Sequence, residues 1–146
     1  MIVGIGTDIC GAARVAEAIG RRGQTILDRL FSAAEQALAV HHRSPNQFYA
    51  GRFAAKEACA KSLGTGITDR VRWTDIEILA RRSGQPYCEL SGGAARRAKR
   101  LVGKGFVPKL HVSIAHDGEF AQALVILEAW LQVSERVIRF ESPSKT

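Results

Sequence analysis

The apolar positions of the chain change period along its length, and each change marks an element. "IVGIGTDI" near the start is a β-branched run broken by glycines, the pattern of a short buried strand. From Gly11 to Ile19 the spacing is helical, with Val15 and Ile19 four apart, and Gly20 and Gly23 mark the end. Ser32 and Glu35 form an S-x-x-E capping box for a helix from Ala33 to His42. Ser44, Pro45 and Gln47 start another, which runs to Leu63 before Gly64 stops it. Beyond "GTGI" the period shortens to two. "VRWTDIEIL" and "PYCEL" alternate as strands around "ARRSGQ". "SGGAARRAKRLVGKG" returns to a helix, and "KLHVSIAHD" and "FAQALVILEAW" make a hairpin about Asp117-Gly118. This order predicts an α+β fold, an antiparallel sheet packed on a helical block. Residues 1–130 read as one domain and 131–146 as a loosely attached tail.

Composition changes that picture little. Hydrophobic residues make up 46% and charged residues 24%, ordinary for a globular protein in water. No apolar run approaches the roughly 18 residues of a membrane span, and "MIVGIGTDI" lacks a basic leader region. Cys10, Cys59 and Cys88 are odd in number and make no CxxC pair, against a disulfide framework or a zinc site. Together these features predict a cytoplasmic protein.

Charge is more informative. A net +7 favours anionic partners: nucleic acid, a phosphorylated cofactor or an acidic protein. The basic residues cluster twice, as Arg14, Arg21, Arg22 and Arg29, and as Arg96, Arg97, Lys99, Arg100, Lys104 and Lys109. The second cluster reads most simply as a solvated helix face. Aromatic residues are too few, at 7%, to suggest a base-stacking platform.

The densest candidate chemistry is "FYAGRFAAKEACAKSLGTGI", where alanines suited to close packing carry Arg52, Lys56, Glu57 and Lys61. Glu57 and Lys61 alone make an ordinary helix-surface pair. Asp8, where the first strand is expected to end, reads equally as a turn residue. Together, Asp8 and Glu57 are two carboxylates from separate elements, which suffices for Mg²⁺ with waters and substrate phosphates completing its shell. Lysines on the same helix would then neutralise phosphate charge, and Thr65 between Gly64 and Gly66 offers backbone N–H groups. "HVSIAHD" tempts one toward a hydrolase triad, but no G-x-S-x-G elbow is present.

"GIGTDI", "GRFAAKEACAKSLGTGI" and "HVSIAHD" resemble, in order and spacing, motifs of the holo-acyl-carrier-protein synthases, with Phe53, Lys56, Glu57 and Lys61 fitting F-x-x-K-E-x-x-x-K. The resemblance covers roughly residues 1–128. It implies a 4′-phosphopantetheinyl transferase-like fold and transfer of the phosphopantetheine arm of coenzyme A to a serine of apo-acyl carrier protein. It also implies a homotrimer with active sites at subunit interfaces. Asp8 and Glu57 would hold Mg²⁺, and Lys61 would face the pyrophosphate, these three being the catalytic set. Lys56 would be a second fixed cation toward the cofactor. Arg52, Thr65, Gly66, Pro86 and His116 would line the coenzyme A nucleotide. Arg14, matched to the family, and Arg21, by position and charge, would dock the acidic carrier. After "GTDI" the family commonly continues with an acidic residue and an Arg-Ile pair, whereas this chain has Gly11 and Ala12 before Arg14. That departure bears on docking and not on the chemistry. The alternatives are a basic nucleic-acid-binding module without catalysis, which would bind with steep salt dependence and no need of Asp8, and a thioester-handling or structural domain.

Overall fold

The computed structural model describes residues 1–132. Strand β1 (Ile2–Gly11) leads into helices α1 (Ala12–Arg22), α2 (Gln24–Leu30), α3 (Ala33–Val40) and α4 (Pro45–Ser62). A hairpin of β2 (Ile76–Ala80) and β3 (Pro86–Leu90), helix α5 (Gly92–Val102), and a long hairpin of β4 (Phe106–Asp117) and β5 (Phe120–Leu131) complete it. The main sheet is antiparallel in the order β1-β5-β4, and β2-β3 stands apart as a two-stranded sheet. Among the described residues no helix is long and apolar enough to cross a membrane.

Alternation along β5 gives the main sheet two unlike faces. Ala121, Ala123, Val125, Leu127 and Ala129 are buried and face the helices. Helix α4 lies on this inner face and is buried along most of its length. The alanines and the glycines of "GIG" explain its closeness. A Cβ on Gly6 would lie 1.9 Å from the Ala58 carbonyl oxygen, and one on Gly4 would lie 2.0 Å from that of Ser62. Only glycine lets strand and helix backbones meet at that range. On the outer face Ile5, Ile9, Phe120 and Leu124 are exposed.

Several sequence expectations need correction. Asp8 does not end the first strand, because pairing with β5 continues to Gly11 opposite Phe120 and α1 begins at the next residue. Helix α1 passes through Gly20, where neither strain nor crowding arises, and ends at Gly23 with φ +55°. Helix α2, too short for its periodicity to stand out, had no place in the sequence reading. The strand expected over "VRWTDIEIL" is a 3₁₀ turn at Trp73–Asp75 followed by β2. The Asp75 carboxylate fixes the turn by accepting from the Arg72 N–H within it and from the Gly93 N–H in the first turn of α5. The Ser32–Glu35 capping box forms as expected. Ser44 precedes α4 without a side-chain cap, and Gln47 reaches the Gly118 carbonyl instead. Leu131 belongs to β5, and the rest of the expected tail, from residue 133, lies outside the described residues.

Candidate active site

Asp8 and Glu57 come together where β1 crosses α4. The Lys61 ammonium donates to Asp8 Oδ1 at 2.8 Å and to the Thr7 carbonyl at 2.9 Å. Burial, then the Asp8 carboxylate, push the Glu57 carboxyl above its ordinary value, against the pull of Lys61 and Arg14. The pair four apart on α4 is therefore not the ion pair that forms, since Lys61 turns to Asp8. Among the described residues no three His, Cys, Asp or Glu side chains converge as a metal cluster. What the site offers is two half-buried carboxylates of like charge with a cation already on one of them. That fits a hard divalent ion taking most of its ligands from water and phosphate.

Arg52 lies on the other side of the helix. It precedes Lys61 by nine residues, about two and a half turns, and so points the opposite way. It joins Pro86, His116 and Phe48 around a separate groove of about 400 Å³. Its guanidinium covers the Phe48 ring at 4.5 Å, and its buried Nε has no hydrogen-bond partner among the described residues. His116 Nε2 lies 3.2 Å from the Gln47 carbonyl. Arg52 thus contributes a charged side chain to the groove while one of its donors stays unused.

Other expected residues fall elsewhere. Lys56 is the clear correction. It is fully buried, paired with Glu35 at 2.7 Å and donating to the Trp73 carbonyl, so it reaches neither carboxylate cluster nor groove. Burial pushes its pKa down, with Glu35 opposing. The Thr65 and Gly66 N–H groups are also engaged, both donating to the Ala60 carbonyl where α4 ends. Arg14 lies near the cluster and lines an apolar pocket of about 210 Å³ between α1, α2 and α4. Arg21 is exposed and paired with Glu17. Sequence reasoning assigned Glu35 to its cap alone, yet it also accepts from the Ile78 N–H and balances Lys56. The available signal was a lysine among buried alanines, which requires an acid. It did not say which one.

The profile of the 4′-phosphopantetheinyl transferase superfamily matches residues 4–124. The chain belongs to that superfamily. Relatives within it include the holo-[acyl-carrier-protein] synthase of Azorhizobium caulinodans, 46% identical over 131 residues, which are 90% of this chain and 96% of that one. The holo-[acyl-carrier-protein] synthase of Methylobacterium radiotolerans is also 46% identical, over 88% of this chain and 95% of its own. Among solved structures, the Neisseria meningitidis synthase superposes with a TM-score of 0.77 at 30% identity, covering 88% of this chain and 99% of its own. The Helicobacter pylori synthase, solved in complex with coenzyme A, gives 0.73 at 31% identity over 85% and 99%. The transferase fold expected from the sequence is the fold observed.

Proposed function

We propose that this chain transfers the 4′-phosphopantetheine group of coenzyme A to a serine of an apo-acyl carrier protein. The products are the holo carrier and adenosine 3′,5′-bisphosphate, and the step primes carriers for fatty-acid or polyketide synthesis in the cytoplasm. The observation that carries this reading is the meeting of Asp8, Glu57 and Lys61 at the β1–α4 crossing. It occurs in a chain that matches holo-acyl-carrier-protein synthases over nine-tenths of its length.

Asp8 and Glu57 are the residues that would hold Mg²⁺. When bound, the ion supplies Lewis-acid stabilisation of pyrophosphate oxygens. The rest falls to the chain itself. Lys61 sets a fixed positive charge where the leaving phosphate gains negative charge. Arg52 and His116 hold the nucleotide end in the groove, with Pro86 as its wall. Arg14 and the apolar pocket beside it receive the carrier, and the acidic partner suits the arginines of α1. The serine oxygen bonds to phosphorus as the P–O bond to the bisphosphate breaks, and the hydroxyl proton leaves to a base. Such a transfer needs positioning and charge more than covalent help.

The two halves of the site lie on opposite sides of α4, so one protomer does not close around a single cofactor. Assembly supplies the remedy, and the exposed Ile5, Ile9, Phe120 and Leu124 on the outer sheet face supply an apolar surface for it. We take the active form to be a trimer in which Asp8 and Glu57 of one protomer face Arg52 and His116 of the next. Light scattering should give three protomers, and a fully active monomer would refute the arrangement.

The activity is tested with coenzyme A, MgCl₂ and an apo carrier, read by mass spectrometry. The carrier should gain one phosphopantetheine, and chelation or Asp8→Asn should abolish the gain. Salt-dependent binding of nucleic acid with no transfer would favour the alternative of a basic binding module.

A further inference from the structure

A cleft of about 690 Å³ opens between the segment 68–72 and α5, with Thr65 at its edge and neither Asp8 nor Glu57 in its lining. Five guanidinium groups line it: Arg70 and Arg72 from the segment, Arg96, Arg97 and Arg100 from the helix. Arg97 Nε donates to the Leu63 carbonyl at 2.9 Å, and Arg72 Nη2 lies 3.4 Å from Asp75 Oδ1. The side chains of Arg70, Arg96 and Arg100 have no ion pair or hydrogen bond among the described residues. Two carboxylates, Asp69 and Asp75, also line the cleft, so the five arginines leave it a net positive charge, and Asp75 is already committed. Its carboxylate is almost wholly buried and accepts from the Arg72 and Gly93 N–H groups. One N–H of the first turn of α5 is thereby taken, and the arginine side chains supply the positive charge of the cleft.

The cleft is also built to a fixed geometry. A Cβ on Gly93 would lie 1.5 Å from the Arg70 carbonyl oxygen, so segment and helix touch backbone to backbone. Arg96 and Arg100, one turn apart, present their forks from the same side of α5. Arginine forks match phosphoryl oxygens in paired hydrogen bonds, whereas a merely solvated basic face needs no concavity. No aromatic side chain lines the cleft, so nothing there would stack a base, which disfavours single-stranded nucleic acid. An acidic protein surface would find a recess rather than a flat face.

We propose that this cleft binds a small anion carrying two or more phosphoryl groups, independently of Mg²⁺ and of the Asp8–Glu57 site. The test is calorimetric titration of inorganic pyrophosphate into the full chain in the presence of a chelator. Wild type, Asp8→Asn and Arg52→Ala should bind alike, and the double change Arg96→Ala with Arg100→Ala should weaken binding by about tenfold or more. The double variant should keep its melting temperature and its rate of carrier modification. Titrations of ATP and adenosine 3′,5′-bisphosphate distinguish the two sites: ATP should lose affinity in the double variant, whereas the bisphosphate should keep the Arg52–His116 groove, which the double change leaves intact. Unchanged pyrophosphate affinity in the double variant overturns the proposal. So does equal loss in Arg52→Ala, which would assign the anion to the groove. Loss of carrier affinity with pyrophosphate binding intact would make the cleft a protein-docking face and would likewise overturn it.

Discussion

Two lysines of α4, five residues apart, each hold a carboxylate from another element, and the pairs are nearly equal in length. Lys56 meets Glu35 at 2.7 Å and Lys61 meets Asp8 at 2.8 Å. Burial separates them. Both side chains of the first pair have 0% exposure, whereas Lys61 is 50% and Asp8 20% exposed. A pair enclosed in protein is bound to its surroundings, because neither charge can be left alone without water. A pair open to solvent holds its partners weakly and can exchange one of them for a substrate phosphate or a metal. One motif thus carries a lysine that fixes the helix and a half-exposed lysine, the one that the proposed mechanism sets toward the pyrophosphate.

The largest effect should come from breaking the buried pair. Lys56→Met leaves Glu35 charged and enclosed and should cost about 3–5 kcal/mol in urea unfolding. Adding Glu35→Leu should recover part of that and not all, because the Ser32 and Ile78 N–H groups would lose their acceptor. A stability loss below about 1 kcal/mol for Lys56→Met would place the pair in the class of surface pairs. The open pair should behave in the opposite way. Lys61→Met and Asp8→Asn should each lower the transfer rate by about 10²-fold or more, while unfolding changes by less than about 1 kcal/mol. If either variant unfolds as readily as Lys56→Met, the contrast fails.

A third pair, about as open as that of Lys61 and Asp8, joins two strands instead of strand and helix. His111 Nε2 and Glu128 Oε2 lie 2.7 Å apart on the outer sheet face, and Glu128 also accepts from Trp130 Nε1 at 2.9 Å. The Trp130 hydrogen bond first, and His111 with it, hold the Glu128 carboxyl below its ordinary 4.5. A depressed carboxyl stabilises the fold above the ordinary value, and that contribution is lost as pH falls through the lower, folded one. Glu128→Gln should therefore cost a little stability at neutral pH and nothing in strong acid, as read by melting temperature across pH. A constant difference at every pH would remove the carboxylate from the explanation.

Much of this was legible in the residues, unevenly. The β4–β5 hairpin announced itself because burial on one face imposes alternation, and α4 did so through its proline start, its alanines and the Gly64 stop. The short α2 did not, having too few turns for a period, and neither did the turn at Trp73, which is held by Asp75 and α5, brought together only in the folded chain. The three-residue spacing of Ser32 and Glu35 revealed a cap, but could not reveal that the same carboxylate would lie beside Lys56. Asp8, Glu57 and Lys61 were found as a set because motif spacing places two of them on one helix face. The fate of Lys56 was missed because neighbours on a helix point about 100° apart, and the motif lists them side by side.

The most exacting measurement is of the divided site. Asp8→Asn and His116→Ala protomers, each inactive alone, are co-expressed and purified as mixed assemblies, and carrier modification is followed by mass spectrometry. If one protomer's Asp8 works with the next protomer's His116, random trimers should regain roughly a quarter of the wild-type rate, the chance that two intact halves meet. If Asp8 and His116 of the same chain serve one site, the mixture should stay as inactive as its parents, and the divided site would be contradicted.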